Sequence, residues 1–175
     1  AVVQELAEAF RQSIRLQRQV SFLYDRGRLY RRYNQNLLFH GCVPMTMDGA
    51  FREVEIEGVK RSGRDLMDVL DAIARRAYFE GDAKAVDFMW YLWCAEYSPL
   101  CGRRIKTFQR YFTEDEAAWK EPRDPYYLFA NQEEACTRLL AEFGLTDAQS
   151  RIINGHTPSR VTHGERPIKA GGKCI

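Results

Sequence analysis

No apolar run in this sequence approaches the roughly 20 residues that a membrane-crossing helix needs, and no secretory leader pattern opens it. A soluble protein without a membrane partner is expected. Charge of one sign is also lacking: 26 Lys and Arg stand against 24 Asp and Glu, and the net +2 is interspersed along the chain. Such a balance creates no field for a polyanion, so no nucleic acid partner is implied. Cysteines in ligand or bridge spacing are missing too. The five present, Cys42, Cys94, Cys101, Cys136 and Cys174, are odd in number and show no CxxC pair, which argues against a zinc ribbon or a disulfide framework. They read as reduced thiols of a cytoplasmic protein, mostly filling core. Histidine is scarce as well, at three residues, so any imidazole chemistry rests on very few positions.

What is present suffices for one folded domain. The length is 175 residues, and a hydrophobic content of 45% with 13% aromatics supplies a core of ordinary size. The chain starts inside an amphipathic pattern without a cap and closes on Lys173-Cys174-Ile175 as though a strand were beginning, so a piece of a longer protein is expected. From Val3 to Tyr24, Leu6, Phe10, Ile14, Leu16, Val20 and Leu23 follow helical spacing, and Gly27 ends that helix. Arg26 to Tyr33 then interleaves four arginines with tyrosines, either a solvated face with inward tyrosines or a grip on phosphates or bases. Phe51 to Gly58 alternates apolar and charged residues, as a half-buried strand closed by a glycine turn does.

Ser62 with Asp65 has the form of a capping box, and Leu66, Val69, Leu70, Ile73 and Ala77 recur behind it at helical spacing. Asp82 caps a further helix whose Val86, Met89, Trp90 and Trp93 are expected to be buried. Between Tyr97 and Ala130 the pattern loosens around Pro99, Gly102, Pro122 and Pro125, with a short helix expected from Ile105 to Phe112. Loose stretches of this length are usually lids or binding loops. Within it, Arg103 and Arg104 follow a glycine and are candidate substrate-binding residues that clamp a phosphate; the alternative is solvated charge. Asn131 with Glu134 opens a last helix, carrying Cys136, Leu139, Leu140 and Phe143 and stopping at Gly144. Beyond it, Arg160-Val161-Thr162 and Pro167-Ile168-Lys169 read as a β-hairpin with His163 exposed in its turn.

Two stretches share one grammar. Asn36 to Gly41 and Arg151 to His156 are each a brief apolar run that reads as a buried strand and ends in a histidine beside a glycine. Strand, helix and strand in succession are the grammar of an α/β sheet with packed helices, where ligand sites form at the carboxyl ends of strands. His40 and His156 could therefore meet in one site although more than a hundred residues separate them. Neutral imidazoles are common ligands of divalent transition metals; ordinary hydrogen-bonded histidines are the competing reading.

His40-Gly41-Cys42-Val43-Pro44 resembles the HGG-x-P element of calcineurin-like metallophosphoesterases, and Gly155-His156-Thr157-Pro158 their final glycine-histidine motif. With Asp48-Gly49, Tyr91 to Cys94, Ser98-Pro99-Leu100, Thr107 to Phe112, Pro125-Tyr126-Tyr127 and Ile153 to His156, the succession resembles the later part of the class III fructose-1,6-bisphosphatases of Firmicutes-type bacteria. The family's DxH, GDxxDRG and GN-H-D/E motifs are absent. Asp25-Arg26-Gly27 contains the end of the second but follows Val20 to Leu23 instead of a Gly-Asp, and reads as a helix end.

The resemblance implies an α/β (α+β) fold, with residues 1–175 a helix-rich C-terminal portion of a metallophosphoesterase catalytic domain and a loose insertion at about 97–130. It implies hydrolysis of fructose 1,6-bisphosphate to fructose 6-phosphate and phosphate in gluconeogenesis. The cofactor would be two divalent ions, Mn²⁺, about 3.5–4 Å apart. His40 and His156 would be metal ligands, while the catalytic histidine and the remaining ligands lie in the absent motifs. A homo-oligomer is expected, because a sheet missing its neighbours tends to pair with another copy. A metallophosphoesterase for another phosphoester, or a noncatalytic helical module using the Arg-Tyr stretch, are the alternative readings.

Overall fold

The computed structural model describes residues 2–175. It is an α+β arrangement built on a small sheet and six α-helices among those residues. β1 (Tyr30–Tyr33) runs antiparallel to β2 (Asn36–Phe39), and β2 runs parallel to β5 (Arg151–Asn154), giving the order β1-β2-β5. The strands form because Leu37, Phe39 and Ile152 bury their side chains on one side, and full burial of such a residue stabilises by ~1.5–3 kcal/mol. Lys173 to Ile175 pair along β5: the Ile152 amide donates to the Lys173 carbonyl at 2.7 Å and the Ile175 amide to the Ile152 carbonyl at 2.9 Å.

A separate hairpin joins β3 (Val54–Ile56) to β4 (Val59–Arg61) through Glu57 and Gly58, both at positive φ. This is the tight turn that matches strand twist. Behind it, α3 (Gly63–Phe79) buries Leu66, Met67, Leu70, Ile73 and Ala77. Ser62 holds the N-cap position but makes no side-chain cap bond. Asp65 pairs with Arg61 at 3.0 Å, and the Arg64 amide donates to the Glu142 carboxylate at 3.0 Å, so α6 caps α3 across the fold.

The amino-terminal pattern forms two helices, α1 (Val2–Gln12) and α2 (Ile14–Arg26), rather than one. Ser13 breaks it: its hydroxyl accepts the Leu16 amide at 3.3 Å, as a local cap competing with the continuing helix. Neither helix buries a residue. The carboxyl end of α2 is tied to α3 by Arg75, which donates to the carbonyls of Tyr24 and Gly27 at 2.7 Å each and pairs with Asp71 at 2.7 Å. Asp71 also accepts from Arg28 and from the Leu29 amide, and Tyr30 donates to Asp68 at 2.8 Å. Of the two tyrosines expected to face inward, Tyr30 is half-buried and Tyr33 is exposed, and Arg28, Arg31 and Arg32 of the stretch stay exposed while bonding to neighbouring carbonyls and carboxylates.

α4 (Ala83–Cys94) is capped by Asp82, which accepts the Ala85 amide at 2.8 Å. Its tryptophans are not core: Trp90 and Trp93 are 59% and 63% exposed and flank Phe108, while Ala85, Leu92 and Cys94 are buried. Apolar residues run all round this helix, so periodicity alone did not mark the inward face. The helix expected over 105–112 is only a 3₁₀ turn at Gln109–Tyr111. The rest of 97–130 holds a second 3₁₀ turn, Glu116–Trp119, and the short α5 (Tyr126–Phe129). α6 (Glu133–Glu142) buries Ala135, Cys136, Leu139 and Leu140 and is followed by Gly144 in the left-handed conformation, although Gln132 rather than Asn131 sits at its N-cap. The expected terminal hairpin does not form. Val161–His163 is a 3₁₀ turn closed by Gly164, and Lys169 bridges Cys174 instead. All five cysteines are free and buried.

Candidate metal centre

The parallel register of β2 and β5 sets Phe39 opposite Asn154, so the next residues of both strands emerge side by side at their carboxyl ends. The ladder extends one step further through the Gly155 amide, which donates to the Phe39 carbonyl at 3.3 Å. His40 Nε2 and His156 Nδ1 lie 3.0 Å apart, with the rings nearly perpendicular at 86°. Two ligands at right angles on one ion, each about 2.1 Å from it, have nitrogens about 3 Å apart. The pair therefore has the separation of neighbouring ligands in one coordination shell. For both lone pairs to face that point, His40 must carry its proton on Nδ1 and His156 on Nε2. Partial burial, then the neighbouring His40, Arg103, Arg123 and Lys106, hold the His156 pKa below its ordinary value and keep the ring neutral.

Four hydrogen bonds hold the loop that follows β2. The Asn154 side-chain amide donates to the carbonyls of His40 and Gly41 at 2.9 and 2.8 Å, and the Tyr127 hydroxyl donates to the Gly41 carbonyl at 3.0 Å. The Cys42 amide donates to the Pro99 carbonyl at 2.9 Å. That approach leaves no room at Gly41, where a Cβ would sit 2.1 Å from the Pro99 oxygen. Ser98, fully buried, shapes the facing turn: its hydroxyl donates to the Leu92 carbonyl at 2.6 Å and accepts the amides of Leu100 and Cys101. Asp124 does the same behind the loop, accepting the Met45 and Tyr126 amides at 3.1 and 2.8 Å. Burial raises its carboxyl above the usual carboxylate range. His156 itself has φ +54°, a left-handed conformation that histidine adopts more readily than most residues.

Both histidines open on a cleft lined also by Met89, Trp93, Leu100, Arg103 and Lys106. Of the two arginines singled out from sequence, the structure brings Arg103 to the histidines and leaves Arg104 outside that lining. Lys106, which sequence reasoning passed over, joins it while paired with Glu121 at 2.9 Å. The only sequence signal for Lys106 was a third cation in the same loop. Asn154 and Tyr127 lay inside motifs already singled out, but nothing in the spacing assigned them a role. Among the described residues no group of three or more His, Cys, Asp or Glu is placed to hold a metal ion.

Compared with known proteins, residues 1–175 match the family model described as Firmicute fructose-1,6-bisphosphatase. The chain belongs to that family. It is 45% identical over 180 residues to proteins named fructose-1,6-bisphosphatase class 3 from Clostridium botulinum (strain Hall) and Clostridium novyi (strain NT). In both, the match takes in 99% of this chain and 27% of the relative, so the chain spans about a quarter of the length of these curated relatives. No solved structure matches. The His40 and His156 motifs of this family member occupy adjoining parallel strand ends, which is how residues so distant in sequence come to share a site.

Proposed function

We propose that this chain is the part of a fructose-1,6-bisphosphatase that contributes two histidine ligands and one wall of the substrate cleft, and that the whole protein hydrolyses fructose 1,6-bisphosphate to fructose 6-phosphate and phosphate. The observation that carries this reading is the 3.0 Å separation of His40 Nε2 and His156 Nδ1 at the ends of paired strands in a chain of this family. Two imidazoles can ligate a divalent transition ion such as Mn²⁺, and the oxygen donors that this hard ion prefers would come from carboxylates elsewhere in the whole protein. Bound there, a divalent pair supplies Lewis-acid neutralisation of the phosphoryl oxygens.

The chain's own residues do the rest of what lies within reach. Asn154 and Tyr127 fix the backbone carbonyls at His40 and Gly41, so the imidazole is held at its angle before substrate arrives. Arg103 is anchored through the Glu121 carbonyl at 3.2 Å and presents a cation to a phosphoryl group beside the histidines. Trp93, Met89 and Leu100 form an apolar wall that excludes water from one side. We place the protein in the cytoplasm, in gluconeogenesis, as a homo-oligomer. No described helix is long and apolar enough to cross a membrane.

The test is phosphate release from fructose 1,6-bisphosphate by the full-length protein, before and after chelation and on return of Mn²⁺. Activity lost on chelation and restored by Mn²⁺ supports the reading. Equal rates with and without metal, or no phosphate release at all, would overturn it.

A further inference from the structure

A second cleft, of about 610 Å³, opens beside the His156 loop and shares Asn154, Thr157 and Tyr127 with the surroundings of the histidines. Four cations line it, Arg123, Arg160, Arg166 and Lys169, against one carboxylate, Glu165. Among the described residues none of the four makes a salt bridge. Glu165 accepts the Arg160 amide at 2.9 Å, and that bond first, then the nearby charges of Lys169, Arg160 and Arg123, hold its carboxyl below the usual range. The other arginine-rich cleft, beside Arg28 and Arg75, differs in kind: there Asp71 bridges the two guanidinium groups at 3.0 and 2.7 Å. Four like charges facing a single carboxylate in one groove repel one another, and a dianionic ligand removes that cost.

Arg123 links the groove to the His40 loop, since its guanidinium lies 5.7 Å from the centre of the Tyr127 ring, whose hydroxyl donates to the Gly41 carbonyl. Arg160 is four residues beyond His156, so their Cα atoms are at most ~14 Å apart. A groove this near the histidines, with four cations to one carboxylate and amide and hydroxyl groups on the shared wall, suits a phosphate monoester on the same molecule that reacts at the histidine pair.

We propose that Arg123, Arg160, Arg166 and Lys169 seat the second, non-reacting phosphate of the substrate, so that the two phosphates of a sugar bisphosphate are read by separate clefts on either flank of the His156 loop. This rests on the phosphatase reading above. It makes the groove, rather than the metal centre, the part that distinguishes a bisphosphate from a simple phosphoester.

The test uses the full-length protein and the double variant Arg160→Gln/Arg166→Gln, both at exposed positions where folding does not depend on them. Two readouts are compared: the ratio of kcat/KM for fructose 1,6-bisphosphate to that for p-nitrophenyl phosphate, and calorimetric binding of fructose 6-phosphate. Removing one charged hydrogen bond to a phosphate weakens binding roughly tenfold, so the ratio is expected to fall about 100-fold, mainly through KM for the bisphosphate, and fructose 6-phosphate binding to weaken by a similar factor. An unchanged ratio overturns the proposal. A bisphosphate KM that holds while fructose 6-phosphate binding weakens assigns the groove to a regulatory anion, and also overturns it. Should the native protein hydrolyse neither ester, the phosphatase reading fails; fructose 6-phosphate binding that depends on Arg160 and Arg166 would still establish the groove as a sugar-phosphate seat, and its independence from them would remove both.

Discussion

His40 is exposed and hangs from a loop whose backbone is held by other residues, so its ring contributes little to packing. In the full-length protein, on the phosphatase reading proposed above, His40→Ala is expected to lower kcat at least ~100-fold while the melting temperature moves by no more than about 2 °C. Parallel losses of rate and stability would make it a structural residue. The two glycines beside the histidines should behave oppositely. Gly41→Ala drives a Cβ into the Pro99 and Leu100 carbonyls, at 2.1 and 2.9 Å, and is expected to cost about 1–3 kcal/mol with displacement of the loop. At Gly155 the nearest atom to an added Cβ is His40 Nδ1 at an ordinary 3.4 Å, so Gly155→Ala should fold as the native protein does. Comparing their denaturation midpoints checks the pair. Both glycines look alike in sequence; only the neighbouring Ser98-Pro99-Leu100 turn separates them.

At the level of elements, α2 has no buried face and is fastened to α3 through Arg75 and through Tyr78, whose hydroxyl donates to the Gln17 side chain at 3.2 Å. Arg75 makes three 2.7 Å contacts from α3, and Arg75→Ala would leave Asp71, whose side chain is 14% exposed, with Arg28 as its remaining ion-pair partner. A loss of about 1–3 kcal/mol is expected, together with faster tryptic cleavage at Arg18 and Arg26 as α2 detaches. Unaltered cleavage would show that aromatic stacking of Tyr24 on Tyr78 holds the helix instead. Asp124 joins the His40 loop to α5, and burial raises its carboxyl in the folded state. A folded pKa above the unfolded one means that stability contributed by the protonated acid is lost as pH rises through the folded value. The difference in melting temperature between Asp124→Asn and the native protein should therefore move in the variant's favour from pH 4 to pH 7. A difference independent of pH over that range would show that Asp124 keeps an ordinary pKa.

For the whole molecule, the ligand count is decisive. Two histidines bind a divalent ion weakly, because water fills the other positions and no carboxylate offsets the charge. The 175 residues by themselves are expected to release no phosphate from fructose 1,6-bisphosphate at any Mn²⁺ concentration. Metal-dependent release by this piece alone would mean that the centre lies elsewhere. Leu6 and Ile14 on α1 and α2 are 65% and 70% exposed, so the isolated piece should also self-associate with rising concentration, which light scattering reads directly.

The sequence by itself determined the strands that end in His40 and His156, the inward face of α3, the Asp82 cap and the Gly144 stop, because these depend on residues within a few positions of one another. The motifs around the histidines likewise carried the family. Tertiary structure alone decided what depends on contacts between distant segments: the parallel register that brings the histidine nitrogens to 3.0 Å, the outward tryptophans of α4, and the Glu142 cap on α3. It also separated Arg103 from Arg104, adjacent in the chain yet placed differently about the histidine cleft. The physical reason is that local patterns fix backbone conformation, while the face a residue presents and the charge it meets are set by whichever remote segment packs against it.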